Sequence, residues 1–372
     1  MQTNSKPACG EDTERIEELR RRIDEVDRAI VTHLVERARL AHAVGVAKGG
    51  TAVYRPERER AVINKAVETA RTLGSLVPEA SVAALYQEII AACRAVEGKP
   101  RVAYLGPCGT FTEMAVLKQF GHACDLVPCE SIDAVFHALE SEKVNFAVVP
   151  VENSTQGSVT RTLDLLFGTN RSIIAEVYGP VAHNLMNRSG RLEDIECVMA
   201  HPQALAQCRG WLAAHLPSVR IESRASNAEA AVQASRDPKV AAIAASRAAE
   251  LYELTVVAAA VQDEPSNRTR FVVLGAKNAG RVEGVASKTS VVFSVNNTAG
   301  SLFKALEPFS VHGVSMTKLE SRPSRHGAWD YNFYVDLEGH ELDDNVARAL
   351  SDLSGMATYL KVLGSYPMAV DQ

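Results

Sequence analysis

The chain has no Cys-x-x-Cys pair, no apolar run of bilayer length, no polybasic tail and no internal repeat. Its 7 cysteines are odd in number and scattered, which argues against a disulfide framework or a zinc site and for a reducing compartment. With no long apolar run, no membrane-spanning helix is expected. Met1 to Glu18 is polar and acidic and lacks the apolar centre of a signal peptide. A net charge of -5 disfavours nucleic acid or an anionic membrane as the main partner. A local arginine cluster could still take an anionic small molecule. What remains is a cytoplasmic protein of ordinary globular composition, 46% hydrophobic and 23% charged. Its 372 residues allow two or three domains.

The first hundred residues read as helix. Ile16, Leu19, Ile23, Val26, Ile30 and Leu34 step by three or four, a stripe expected to face a core, and it continues through Leu40 and Val44. Gly49-Gly50 ends it. A second helix is expected after Pro56 and a third over 81–96, before the break at Gly98-Lys99-Pro100. The texture then changes. Short apolar strands (102–105, 146–151, 240–244, 271–274) alternate with helical stretches such as 227–235, which suggests α/β layers around buried sheets. A glycine-rich polar linker covers 275–288, and beyond it the order strand, helix, strand, strand, helix, strand is the ferredoxin-like βαββαβ arrangement.

Arg20, Arg37 and Lys48 all fall on the first helix. Arg20 and Arg37 are about 25 Å apart along its axis and face different ways, so one small molecule cannot touch both on one helix. Arg37 and Lys48, about 16 Å apart, share a face. If Arg20 takes part, it comes from a partner chain, and an antiparallel dimer of long helices would supply it. Taken alone, Arg20-Arg21-Arg22 is a solvated charge run and Arg58-Glu59 a surface pair.

Leu19-Arg20-Arg21-Arg22-Ile23, Val35-Glu36-Arg37, Gly45-Val46-Ala47-Lys48 and Arg58-Glu59, continued by Ile89-Ile90, Cys93 and Glu97, resemble the all-helical chorismate mutase class over residues 12–98. Chorismate is a dicarboxylate that rearranges within itself, so no nucleophile or cofactor is needed. The enzyme must fold the substrate and stabilise charge on the breaking ether oxygen. The resemblance implies that Arg20 (from the partner) and Arg37 clamp the carboxylates. It implies that Lys48 donates to the ether oxygen and Glu59 holds the ring hydroxyl. The resemblance counts Arg58 and Cys93 among the substrate-binding positions. The positions of Arg55 and Cys93 line the site in relatives, though core packing is the expected role of Cys93 here. Glu97 would face the ether oxygen, where a carboxylate helps only when protonated, a state that burial favours. Arg55 and Cys93 depart from the residues common in the class.

Gly106-Pro107-Cys108-Gly109-Thr110-Phe111-Thr112-Glu113 follows a strand and opens a helix. Thr110 and Glu113 have capping-box spacing, and free N–H groups there would suit an anion. The Gly-Lys-Thr/Ser ending of a P-loop is missing. Val149-Pro150-Val151-Glu152-Asn153-Ser154, His201-Pro202-Gln203 with Gln207, and Asn267-Arg268-Thr269-Arg270-Phe271 complete a set whose order resembles prephenate dehydratase over about 101–278. That family has two α/β lobes with substrate in the cleft, similar to bacterial solute-binding proteins. The resemblance implies Thr269 as the key hydroxyl and Arg270 as a carboxylate holder. Asn153 and Gln207 would orient the ring. Thr110, Glu152, Ser154, His201 and Phe271 would line the site.

The last module, 288–372, resembles an ACT domain of the amino-acid-binding kind. The likeness rests on Ala299-Gly300-Ser301-Leu302 and Leu319-Glu320-Ser321-Arg322-Pro323. The resemblance implies phenylalanine bound by Gly300, Leu302, Glu320, Ser321, Arg322 and Pro323 across a dimer interface, acting as a feedback inhibitor. Together the three resemblances imply a bifunctional chorismate mutase/prephenate dehydratase with no cofactor and no metal, forming a homodimer or higher homo-oligomer. Two alternatives stay open at this point. One is a binding protein, with a solute-binding cleft and an amino-acid sensor but no chemistry. The other keeps the dehydratase with a weak mutase.

Overall fold

The structure is a computed structural model that describes residues 9–47, 54–276, 279–324 and 331–369. Its first module is three helices: α1 (Cys9–Ala47), α2 (Pro56–Thr72) and α3 (Glu79–Glu97). Pro56 opens α2, where a helix needs no N–H, and Glu57 and Glu59 in its first turn complement the helix dipole. The apolar stripe of α1 does not face a core within the chain. Ile23 and Val26 are each 58% exposed and Leu40 is 59% exposed. The physical reason is length: α1 has 39 residues, α2 has 17 and α3 has 19, too little helix to cover it. Periodicity identifies an apolar face but not what covers it.

The middle module is two lobes. The first holds β1 (Arg101–Leu105), α4 (Phe111–Phe120), β2 (Asp125–Cys129), α5 (Ile132–Glu140), β3 (Phe146–Asn153), β4 (Gly157–Ser158), α6 (Thr160–Gly168) and β5 (Ser172–Pro180). The second holds β6 (Asn184–Asn187), β7 (Cys197–Ala200), α7 (Pro202–Gln207), α8 (Arg209–His215), β8 (Arg220–Ser223), α9 (Asn227–Arg236), β9 (Val240–Ala244), α10 (Ser246–Tyr252) and β10 (Thr255–Ala258). The chain then returns as β11 (Arg268–Gly275) to the first lobe, whose sheet runs β2-β1-β3-β11-β5 with β4 beside β3. The second sheet runs β10-β6-β9-β7-β8. The chain crosses between lobes twice, and the crossings lie side by side. Val181 N donates to Asn267 O at 2.9 Å and Val261 N to His183 O at 2.8 Å. Polar groups at the ends of β3 and β11 therefore gather where the lobes meet.

The third module is β12 (Ser287–Ser294), α11 (Ser301–Val311), β13 (Met316–Pro323), β14 (Tyr331–Glu338), α12 (Asp344–Met356) and β15 (Tyr359–Pro367). Its antiparallel sheet, in the order β13-β14-β12-β15, is the ferredoxin-like topology expected from the sequence. It sits directly on the first lobe. A Cβ at Gly364 of β15 would collide with the backbone carbonyl of Ile173 on β5, so only glycine permits this approach. No described helix is long and apolar enough to cross a membrane.

Candidate active sites

In the helical module, Arg20 is exposed on α1 and Arg37 is half-buried on the same helix. Lys48 lies outside the described residues. Arg58 is exposed on α2, and Cys93 is buried on α3. Glu59 does not stand open. Its carboxylate takes Arg94 Nη1 at 2.5 Å, and Arg94 is only 3% exposed. Burial pushes the Glu59 carboxyl up, against the pull of Arg94 and, more weakly, of Arg37. Arg94 also donates to Phe120 O at 2.5 Å, so it ties the helical module to the first lobe. Arg94 lies inside the Ile89–Glu97 run, next to Cys93, but its partners Glu59 and Phe120 lie 35 and 26 positions away, so no local pattern marks it. Glu97 is exposed at the end of α3, over Gly45 of α1. A Cβ at Gly45 would lie 2.6 Å from its Oε2, so glycine there is what lets the carboxylate reach α1. Within one chain the Glu97 side chain is open to solvent, and a covering surface would have to come from elsewhere.

The cleft of the two-lobed module is built on one strand pair. β3 and β11 run antiparallel with Asn153 opposite Thr269. Asn153 Oδ1 accepts from the backbone N–H of Thr155 and of Gln156, both at 3.1 Å. Those groups can only donate, so the amide is oriented and its Nδ2 faces β11. Nδ2 then donates to Thr269 Oγ1 at 3.0 Å and to Asn267 Oδ1 at 2.8 Å. With its oxygen accepting from Asn153, the Thr269 hydroxyl keeps its own proton for another acceptor. Ser154 Oγ accepts from Arg268 N at 2.9 Å and locks the two strand ends together.

Across the crossings, His183 Nε2 lies 2.7 Å from Gln207 Oε1, and Phe111 packs its edge against the His183 ring. His183 is buried and its Nδ1 has no partner among the described residues. Burial lowers its pKa, partly opposed by Gln207, so it is neutral at neutral pH. The sign for stability follows. The unfolded chain binds this proton at a higher pH than the folded one, so stability falls as pH drops below the ordinary histidine value of about 6.5. We expect chemical denaturation to give a lower unfolding free energy at acid pH, and His183→Gln to flatten that decline. His183 and Asn267 escaped assignment at the sequence level: one is a lone histidine, the other the unremarked start of a motif.

Several expectations need correction. Arg270 does not hold out a free guanidinium to the cleft. It is buried, with Nε on Glu176 at 2.8 Å, Nη1 on Asp336 at 2.5 Å and Nη2 on the Tyr366 hydroxyl at 2.9 Å. Alternation along β11 sends it to the face opposite Thr269. Phe271 is 2% exposed and packs in the first lobe's core, so it does not line the cleft. Thr110 caps α4, its Oγ1 accepting from Glu113 N at 3.4 Å. The sequence predicts free N–H groups at this helix start, but the N–H of Gly109 just before it is taken at 2.7 Å by the Glu113 carboxylate, which also meets Arg247 of the second lobe. Glu152 pairs with Lys318 at 3.1 Å. His201 caps α7, and Gln203 beside it reaches Gln156 of the first lobe at 2.5 Å.

In the third module Gly300, with φ of 82°, starts α11 and Leu302 is half-buried behind it. Glu320 meets Ser158 and lies 3.5 Å from Lys318, and Arg322 reaches Asp164 at 3.4 Å. Ser321 and Pro323 are exposed.

A cation-bearing helical module, a two-lobed unit with amide and hydroxyl groups at its crossings, and a ferredoxin-like module define a multi-domain enzyme with a small α+β unit attached. The descriptions "Chorismate mutase type II", "Prephenate dehydratase" and "ACT domain" match residues 19–98, 102–279 and 289–355. The bifunctional chorismate mutase/prephenate dehydratase of Neisseria gonorrhoeae is 46% identical over 94% of this chain and 96% of its own length, and the chain belongs to that family. It is an enzyme with a mutase and a dehydratase domain. Among solved structures, a prephenate dehydratase from Arthrobacter aurescens in complex with L-Phe is 34% identical, with a TM-score of 0.66 over 73% of this chain and 93% of that one. A protein described as GqqA, a novel type of quorum quenching acylase, is 30% identical with a TM-score of 0.66 over 72% of this chain and 98% of that one. The fold alone therefore does not decide the chemistry; the site must.

Proposed function

We propose that Thr269 is the centre of the dehydratase and that the α1 stripe makes the mutase a two-chain site. The single observation that carries the first is the Asn153–Thr269 pair, in which an oriented amide leaves the threonine proton available. Prephenate loses CO2 and its ring hydroxyl together, driven by aromatisation. The bond from the ring to the carboxylate supplies the electron pair, and the departing hydroxyl must gain a proton. A hydrogen bond from Thr269 to that hydroxyl is strongest as charge builds on it. Asn153 and Gln207 orient the ring, and Ser154, His201 and Thr110 serve by holding the loops in place.

For the mutase, Arg37 and Lys48 of one chain and Arg20 of a second would hold chorismate. Arg58 and Glu59 would stand on the facing helix and Cys93 behind it. The exposed apolar stripe of α1 supports a second copy as its cover, in a homodimer or larger homo-oligomer. That copy would also bury Glu97. Mutase activity is then expected to decline as pH rises, and Glu97→Gln to flatten the profile. An unchanged profile in Glu97→Gln would remove the assignment.

Modules are set at 12–98, 101–278 and 288–372, in a cytoplasmic enzyme. Phenylalanine, as in the Arthrobacter aurescens complex, would bind at the loops carrying Gly300, Leu302 and Glu320 to Pro323 and inhibit the dehydratase. The deciding experiment follows chorismate, prephenate and phenylpyruvate with purified protein, with and without phenylalanine. Conversion of both substrates, slowed by phenylalanine at the second step, is the expected result. Binding without turnover would instead favour a sensor with no chemistry.

A further inference from the structure

Two successive rungs of the β3–β11 ladder carry opposite tasks. Thr269 faces Asn153 across the ladder, and the next rung sets Arg270 against Glu152. Neighbouring residues on a strand point to opposite faces, so the rung behind the catalytic pair points away from the cleft. What it meets there is the third module. Arg270 is held by Asp336 of β14 and the Tyr366 hydroxyl of β15, with Ser290 Oγ bonded to Asp336 at 2.5 Å and 2.6 Å from the Tyr366 hydroxyl. Glu176 of β5 closes the cluster, taking Arg270 and also Lys288 of β12 at 2.9 Å. Arg270, Glu176, Asp336, Lys288, Ser290 and Tyr366 are all less than a tenth exposed. Glu152 is held by Lys318 of β13 at 3.1 Å, and Lys318 also donates to Ser158 Oγ at 2.9 Å.

We propose that Arg270 and Glu152 are positioning residues, a rear clamp by which the third module sets the attitude of Thr269 and Asn153. The two charge pairs grip both strand ends one residue from the catalytic groups. A tilt of either strand end about its own axis would move the hydroxyl of Thr269 or the amide of Asn153 off the reacting hydroxyl. Buried ion pairs with several hydrogen bonds keep their geometry because any displacement leaves a charge unpaired. The clamp also gives the third module a lever. Lys318 and Glu320 stand two residues apart on β13, 3.5 Å between their charged groups, and Glu320 accepts from the hydroxyl of Ser158 on β4, which stands opposite Glu152. This part rests on the proposal that Glu320 belongs to the phenylalanine site. A ligand that takes up Glu320 then redistributes Lys318 between Glu152 and Ser158, and the catalytic rung feels it.

Lys318→Met keeps most of the side chain's length and removes its charge. We expect it to lower dehydratase kcat at least about fivefold while the KM for prephenate stays within about twofold, the pattern of lost positioning rather than lost binding. Lys318→Arg should regain most of the rate. Glu152→Gln should resemble Lys318→Met, and the double variant should be no worse than either, because both break one interaction. Mutase turnover and far-UV circular dichroism on the same samples check folding. A kcat within about twofold of wild type in both single variants, or losses that multiply in the double, would overturn the clamp. Calorimetry with phenylalanine separates the two layers. Wild type that neither binds nor responds to phenylalanine defeats the regulatory reading, and the kcat split still decides the clamp. Wild type that responds, beside a Lys318→Met protein that binds phenylalanine and is inhibited by the same factor, defeats the lever.

Discussion

Thr269→Ala is expected to lower dehydratase turnover by about a hundred- to ten-thousandfold, the range for removing a positioned proton donor or one hydrogen bond made to a developing charge. Mutase turnover should stay within about twofold of wild type, since Thr269 sits on β11 in the first lobe while the mutase residues stand on the separate helical module, which meets that lobe at the end of α4. Two features make the loss large. The departing hydroxyl gains negative charge only as its bond breaks, so a donor aimed at it lowers the barrier more than it helps binding. The donor is also already oriented, because Asn153 Nδ2 occupies its oxygen at 3.0 Å and is itself held by Thr155 and Gln156. No reorganisation is then needed during the reaction. Thr269→Ser should fall between. It keeps the hydroxyl but loses the methyl group that restricts rotation about the Cα–Cβ bond. Phenylpyruvate formation from prephenate, set beside chorismate loss in the same preparation, measures both. Dehydratase turnover near wild type in Thr269→Ala would remove the assignment.

How much of this was legible in the sequence differs by residue. The order of the loop motifs told that the Glu-Asn-Ser and Thr-Arg-Phe runs belong together, and the ladder puts Asn153 opposite Thr269. Strand alternation could also have told that Arg270 leaves the cleft once Thr269 faces it. What no local pattern held was Arg270's partner, Asp336, which lies 66 positions on in another module. The same holds for Glu176. It interrupts an apolar run on β5, and its partners, Arg270 of β11, Lys288 of β12 and the N–H of Ala369, all come from far along the chain. Capping signals of Thr110 and Glu113 were readable because they act over three residues. That Glu113 would spend its carboxylate on Gly109 was not. The βαββαβ order fixed the third module's topology because few connections satisfy it.

The first helix is the reverse case, where spacing alone demanded something the single chain does not contain. Arg20→Ala and Arg37→Ala should each cost mutase activity at least about a hundredfold if, as proposed, each clamps a substrate carboxylate. Mixed in one dimer, they should rescue each other. If Arg20 serves the partner's site, a heterodimer of the two variants holds one site with both arginines missing and one with both present. Random pairing makes about half the dimers hetero, so the pooled sample should recover about a quarter of wild-type mutase activity, and purified heterodimers about half. The single chain supports this expectation physically. Arg20 and Arg37 are separated by seventeen residues of one straight helix, or about 25 Å, too far to grip one substrate. Ile23, Val26 and Ile30, between half and three-fifths exposed, sit between them on the face a second helix would cover. Dehydratase activity should be unaffected in either variant and so report the amount of folded protein. The measurement is mutase rate on co-expressed, doubly tagged variants purified through both tags. Heterodimers as inactive as the parent variants would put both arginines in service of one chain's own site and overturn the two-chain reading, and an active Arg20→Ala homodimer would take Arg20 out of the site altogether.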